Sequence, residues 1–179
     1  IATPAANYHF VSWSDGNIES TRTITVSSAV NLVASFAIDT YSVSVTSGTG
    51  GSVNSVSGTY NYGSSVELIA TPAANYHFVS WSDGNTESTR TITVTSNVSL
   101  SASFAIDTYS VSVTSGAGGS VNSVSGTYDY GSSVELIATP SANYHFVSWS
   151  DGNTESTRTI TVSSAVSLTA SFAIDTYTV

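Results

Sequence analysis

The chain has no cysteine, no methionine, no lysine and no glutamine. The missing cysteines exclude a disulfide framework and any thiolate metal site. The missing lysine excludes the intramolecular isopeptide bond that stiffens many surface stalks, and the missing glutamine excludes a Thr–Gln ester cross-link. Cations are almost absent. Arg22, Arg90 and Arg158 are the only three, and they stand 68 residues apart. Binding to a phosphate backbone needs clustered Lys and Arg, so nucleic acid is not an expected partner. Charged residues of either sign make up 8 % of the chain, with a net charge of −9. No apolar run reaches the roughly 18 residues that would span a bilayer, so no membrane insertion is expected in this segment.

What remains is rich in Ser, Thr, Val, Ala, Tyr and Gly, with 40 % hydrophobic residues. β-Branched and aromatic residues favour a pleated, half-buried surface, and good helix formers are scarce. The chain therefore reads as all-β.

The sequence repeats itself. Ala-Thr-Pro-Ala-Ala-Asn-Tyr-His-Phe-Val-Ser-Trp-Ser-Asp-Gly-Asn begins at Ala2 and again at Ala70, then at Ala138 with Ser141 in place of one alanine. The period is 68 residues. Residues 39–106 and 107–174 are complete copies that differ at six positions, among them Thr49 against Ala117 and Asn61 against Asp129. Residues 1–38 are the second half of a copy, and 175–179 begin another. Both ends cut through a repeat, which reads as a segment of a longer array. A unit of this length is a small domain helped by its neighbours rather than a thin solenoid turn.

Within residues 39–106 the alternation predicts six short strands. Tyr41, Val43 and Val45 alternate with serines. Gly48, Gly50 and Gly51 break the chain, and a weaker strand follows near Val53–Val56. Val66 and Leu68 flank Glu67 in a third strand ending at Pro72. Tyr76–Ser82 carries bulky residues on both faces, which predicts a central strand or a bulge that re-aims Trp81. After the Asp83-Gly84 turn, Thr89–Val94 and then Val98–Ile106 complete the unit. This gives a tandem array of small six-stranded modules, as a small sandwich or a grasp-like sheet. The inward phase slips once between modules, at Ile106, Asp107 and Thr108. A joint of about two residues without Gly or Pro leaves little freedom, so a rod-like array is expected.

The order Tyr-x-Val-x-Val, Gly-rich turn, Ser-Gly-x-Tyr-x-Tyr-Gly, Val-x-Leu-x-Ala-x-Pro, Asn-Tyr-x-Phe-x-x-Trp-Ser-Asp-Gly, Thr-Ile-Thr-Val and Leu-x-Ala-x-Phe resembles the bacterial internalin-type B-repeat, in its divergent branch. The resemblance covers nearly the whole chain. It implies a β-rich module strung in arrays on secreted or cell-surface bacterial proteins, as a stalk or spacer and sometimes with adhesive roles. It carries no catalytic residues.

Candidate chemistry is sparse. His77, with its copies His9 and His145, is the sole candidate general base. On a strand it shares a face with Asp83, while Ser80 and Ser82 point the other way, so no local triad forms and no enzyme is expected. A structural histidine beside Trp81 is the reading preferred. Asp83, Asn85 and Glu87 offer alternate oxygen ligands of the kind calcium takes, but too few of them; a solvated hairpin turn is the simpler reading, and no cofactor is expected. Asp39 and Asp107 at the joints offer a similar place for a bridging cation. Tyr60, Tyr62 and Trp81 are candidate glycan contacts, against the alternative that the tyrosines complete a core and bond a turn through their hydroxyls. Arg90 is expected to pair with Glu67 or Glu87. Three functions stand at this point: a structural stalk or fibre repeat, an adhesive module for glycans or host surfaces, and a self-assembling extracellular filament. The partners expected are neighbouring repeats and identical chains.

Overall fold

A computed structural model describes residues 1–177; Thr178 and Val179, at the expected start of a further repeat, lie outside the described residues. Every regular element among the described residues is a β-strand. The leading half repeat contributes β1 (Tyr8–Trp13) and β2 (Ala34–Ile38). The first complete repeat holds β3 (Thr40–Ser47), β4 (Gly51–Val53), β5 (Gly58–Asn61), β6 (Ser65–Pro72), β7 (Tyr76–Trp81), β8 (Thr89–Thr93) and β9 (Val98–Ile106). The second holds their counterparts β10 (Thr108–Ser115), β11 (Gly119–Val121), β12 (Gly126–Asp129), β13 (Ser133–Pro140), β14 (Tyr144–Trp149), β15 (Thr157–Thr161) and β16 (Val166–Ile174). The chain divides into two compact units, one of Ile1–Ala73 with Phe78–Phe104 and one of Ala74–His77 with the residues from Ala105 onward.

Each complete repeat is a two-sheet sandwich of seven strands rather than six. One sheet runs β5-β3-β9-β7 and the other β4-β6-β8. The first and last strands of the repeat, β3 and β9, lie side by side and parallel, with Val43 opposite Val98 and Val45 opposite Leu100. The remaining pairings described are antiparallel. The extra strand is β5. Its Gly-Thr-Tyr-Asn stretch looks like turn chemistry, yet it pairs with β3 from Thr40↔Asn61 to Val43↔Gly58. The strand expected near Val53–Val56 ends at Val53. There the chain tightens: Val56 N–H donates to Asn54 O, and the Tyr60 hydroxyl donates to Val56 O at 2.7 Å.

Alternation builds the core. Val43 and Val45 of β3, Val66, Leu68 and Ala70 of β6, and Leu100 and Ala102 of β9 are all buried, together with Trp81 and Val94. Phe78 and Phe104 are half-buried against this cluster, their rings edge-to-face at 5.8 Å. The cluster of the second complete repeat reproduces it residue for residue. The bulky two-faced strand resolves as a bulge. In the pairing of β14 with β16 the register shifts between Phe146 and Ser148, and the same shift occurs in β1 at Phe10/Ser12. The extra residue, Val147 or Val11, is pushed out to solvent, and Trp149 is turned into the core. A bulge re-aims the residues after it, which is how one strand can place Phe146 and Trp149 on the same core.

Within residues 1–38 the same sequence takes a different local structure. Thr21–Thr25 has the sequence of β8, yet it forms no strand. β8 pairs with β6 from Ser65↔Thr93 to Ile69↔Thr89, and residues 1–38 hold only the last four residues of that strand's sequence, Ile1–Pro4, whose Ala2 N–H still donates to Ser20 O at 2.8 Å. Likewise β2 begins at Ala34, whereas β9 begins four residues earlier in the repeat, at Val98, in the stretch that β3 covers.

Candidate functional site

The joint between repeats is held by polar groups. It is one residue long: β9 ends at Ile106, β10 begins at Thr108, and only Asp107 lies between. The alternation changes phase there because one residue is spent outside both ladders. Asp107 is not left loose. Its N–H donates to Asn75 O at 2.9 Å, its C=O accepts from Tyr130 N–H at 2.8 Å, and its carboxylate Oδ1 lies 2.9 Å from His77 Nδ1. A carboxylate can only accept, so the histidine carries its proton on Nδ1. Asn75 sits in the left-handed region at φ 63, where an Asn is tolerated, and this turns its carbonyl toward the joint. The arrangement recurs. Asp39 bonds Asn7 O, Tyr62 N–H and His9, and Asp175 bonds Asn143 O and His145.

This corrects the placement of the histidine. His77 stands beside Asp107, half exposed, and not beside Trp81. The hydroxyl neighbour of Ser80 is Ser103, at 3.4 Å, rather than the histidine. A signal for the pairing was present: each histidine is followed by an aspartate 30 residues later, in all three copies.

Asp83, Asn85 and Glu87 form a self-bonded turn. Asn85 N–H donates to Asp83 Oδ1 and Glu87 N–H to Asn85 Oδ1 at 3.0 Å. The Asp83 carboxylate is taken by Arg90 at 2.7 Å. Arg90 thus pairs with the turn aspartate, not with Glu67 or Glu87. Its hydrogen bond is the main cause that holds the Asp83 carboxyl below its ordinary range, against a smaller opposing effect of burial. Arg158 does the same for Asp151 and Arg22 for Asp15, so each of the three cations has a carboxylate partner.

The turn also wraps Trp81. The indole N–H donates to Glu87 O at 2.9 Å, and the ring is 1 % exposed, so neither face is free to stack on a sugar. Tyr60 packs on the core with its hydroxyl on Val56, and Tyr62 lies against Tyr41 at 6.4 Å between ring centres. Trp81, Tyr60 and Tyr62 therefore do not assemble into one platform.

A family model of the divergent InlB B-repeat domain matches residues 1–40, 41–108 and 109–176, with the same period as the sequence repeat and boundaries two residues later than 38, 106 and 174. No curated protein and no solved structure matches the chain at a significant level. The family is a non-catalytic repeat domain typical of bacterial surface and secreted proteins. Matched from end to end in successive copies, the chain belongs to the divergent InlB B-repeat domain family.

Proposed function

We propose that this chain is a stalk or fibre segment of a bacterial cell-surface or secreted protein, and that its work is mechanical spacing, each repeat adding length. The observation that carries the reading is the joint. A single residue separates one repeat's last strand from the next repeat's first, and it is held by backbone bonds on both sides and by a histidine. Ordering a free linker costs about 1–2 kcal/mol per residue, and a joint this short has almost nothing left to order. On this reading the chain has no catalytic residues and needs no cofactor.

Small-angle scattering tests it on the chain and on versions lengthened by one and two further repeats. Linear growth of the maximum dimension, by about 28 Å per repeat from the usual size scaling, supports a stalk. Compaction, or growth as the square root of repeat number, overturns it.

A further inference from the structure

We propose that the free edge of β8, and of β15 in the next repeat, is a self-association surface that pairs antiparallel with the same edge of a second copy of this chain. This rests on the sheet edges alone and does not depend on the stalk reading.

The sandwich has four edges, and three are closed. β4 is three residues long, and where it stops the Asn54 side chain continues its ladder, accepting from Ile69 N–H at 2.9 Å and donating to Glu67 O at 2.8 Å. β5 is four residues long, and beyond its start Ser57 Oγ bonds both Val45 N–H and Val45 O on β3. The β7 edge has the sequence that is bulged in β1 and β14. Short strands, bulges, covering groups, prolines and charged side chains are the ways sheets block stray pairing. β8 has no bulge, no proline and no cover, and its one charge, the inward Arg90, is engaged by Asp83. It is five residues, Thr-Arg-Thr-Ile-Thr.

The ladder phase shows which groups are open. At its two ends Ala70 N–H donates to Ser88 O, and Val94 N–H donates to Ser64 O. In an antiparallel pair every second residue faces the partner, so Arg90 and Ile92 are bonded to β6. The N–H and C=O groups of Thr89, Thr91 and Thr93 point off the sheet, and among the described residues no hydrogen bond engages them. All three threonines are exposed.

A second copy is the occupant the chemistry selects. The open groups are symmetric about Thr91, so a two-fold pairing sets Thr91 against Thr91, and Thr89 against Thr93, with up to about six backbone bonds. The one charge of the strand, Arg90, is held on Asp83, leaving the strand itself neutral, with the exposed Glu67 one strand in, opposite Thr91, on a chain of net charge −9. A neutral strip offers nothing to an acidic or a basic peptide, but it lets two acidic chains meet. In the second complete repeat an open groove of about 390 Å³ adjoins the strand, with Ile160, Val166 and Leu168 among its lining. It suits the inward Ile160 of a paired β15.

Sedimentation velocity of the whole chain, from roughly micromolar to millimolar, should show reversible self-association, the range a small backbone-only interface reaches. Replacing Thr91→Lys together with Thr159→Lys should weaken it by at least about tenfold, as a charge on an edge does. Thr91→Pro with Thr159→Pro should do the same, because the lost N–H is the outward one and the β6 ladder is spared. The chain lacks cysteine, so Thr91→Cys reports register directly. Facing residues of a bonded pair lie about 5.5 Å apart, within disulfide range. Rapid dimer cross-linking at Thr91→Cys but not at the exposed Ser99→Cys supports the proposal. A chain monomeric throughout, association that survives the Lys and Pro pairs, or an edge that takes up an unrelated strand peptide while the chain stays monomeric overturns it.

Discussion

His77 Nδ1 and Asp107 Oδ1 lie 2.9 Å apart, and the two residues belong to successive repeats. The histidine is 56 % exposed, so the pair sits in high dielectric and contributes little by itself. The backbone bond from Asp107 N–H to Asn75 O is the stronger tie. Asp107→Ala should therefore cost less than about 1 kcal/mol in urea melts. Asp107→Pro, which deletes the N–H, should cost about 1 kcal/mol more. If the alanine variant were the worse of the two, the carboxylate and not the backbone would hold the joint.

Acid should act through the turn aspartates. Asp83 is held below its usual range by the hydrogen bond from Arg90. A lowered folded value means that the carboxylate stabilises the fold above the unfolded value, about 3.9, and that this is lost as pH falls through the folded one. Asp83→Asn should lower the urea midpoint by a constant amount above about pH 5, and the difference from the parent chain should close below about pH 3.9. A difference that widened in acid would reverse the sign of this linkage.

Gly51 has no room for a side chain. A Cβ there would overlap the Phe104 ring, and no positive φ is involved, so the effect is steric alone. Gly51→Ala should destabilise by about 1–3 kcal/mol, the usual range for overpacking. Adding Phe104→Leu should recover part of that loss, a coupling that a double-mutant cycle reads directly.

Much of this was legible in the chain itself. The period-two alternation of Val43 and Val45, Val66 and Leu68, and Leu100 and Ala102 identified the core, because a strand that buries one face has no other choice. Proximity across 30 residues was not legible. His77 looks like a neighbour of Trp81 in sequence, and only the pairing of β9 with β7 carries Asp107 to it. Arg90 shows the same limit. Its parity says that it points inward, but the nearest carboxylate depends on how the Asp83 turn folds back. β5 was hidden because Gly58 and Asn61 are turn formers by propensity, and tertiary pairing with β3 overrides them.

Chelation should leave the fold untouched. The Asp83 carboxylate is occupied by Arg90, and the Asn85 side-chain oxygen by Glu87 N–H, so the turn closes with its own donors. Melting in EDTA should match melting without it. A fall of roughly 4–8 °C, about what 1 kcal/mol gives a small domain, would assign a cation to the turn or to a joint aspartate.

The two copies of one valine provide a stricter test of what holds a repeat together. Val26 and Val94 both follow Thr-Arg-Thr-Ile-Thr, 68 residues apart. Val94 is 0 % exposed, closing the core beside Leu68, while Val26 is 70 % exposed. The five residues before each are the same, and Val94 N–H is bonded to Ser64 O at the start of β6's ladder, a partner that residues 1–38 do not contain. Val94→Ala removes two buried methyl groups and should cost about 2 kcal/mol, from transfer plus the cavity left behind. Val26→Ala should stay within about 0.5 kcal/mol, as surface changes do. Amide exchange should split the same way. Ile92 N–H, bonded to β6, should be protected, and Ile24 N–H, in a stretch that forms no strand, should exchange freely. Equal costs at Val26 and Val94, or equal protection at Ile24 and Ile92, would mean that the Thr-Arg-Thr-Ile-Thr segment orders itself without its partner strand.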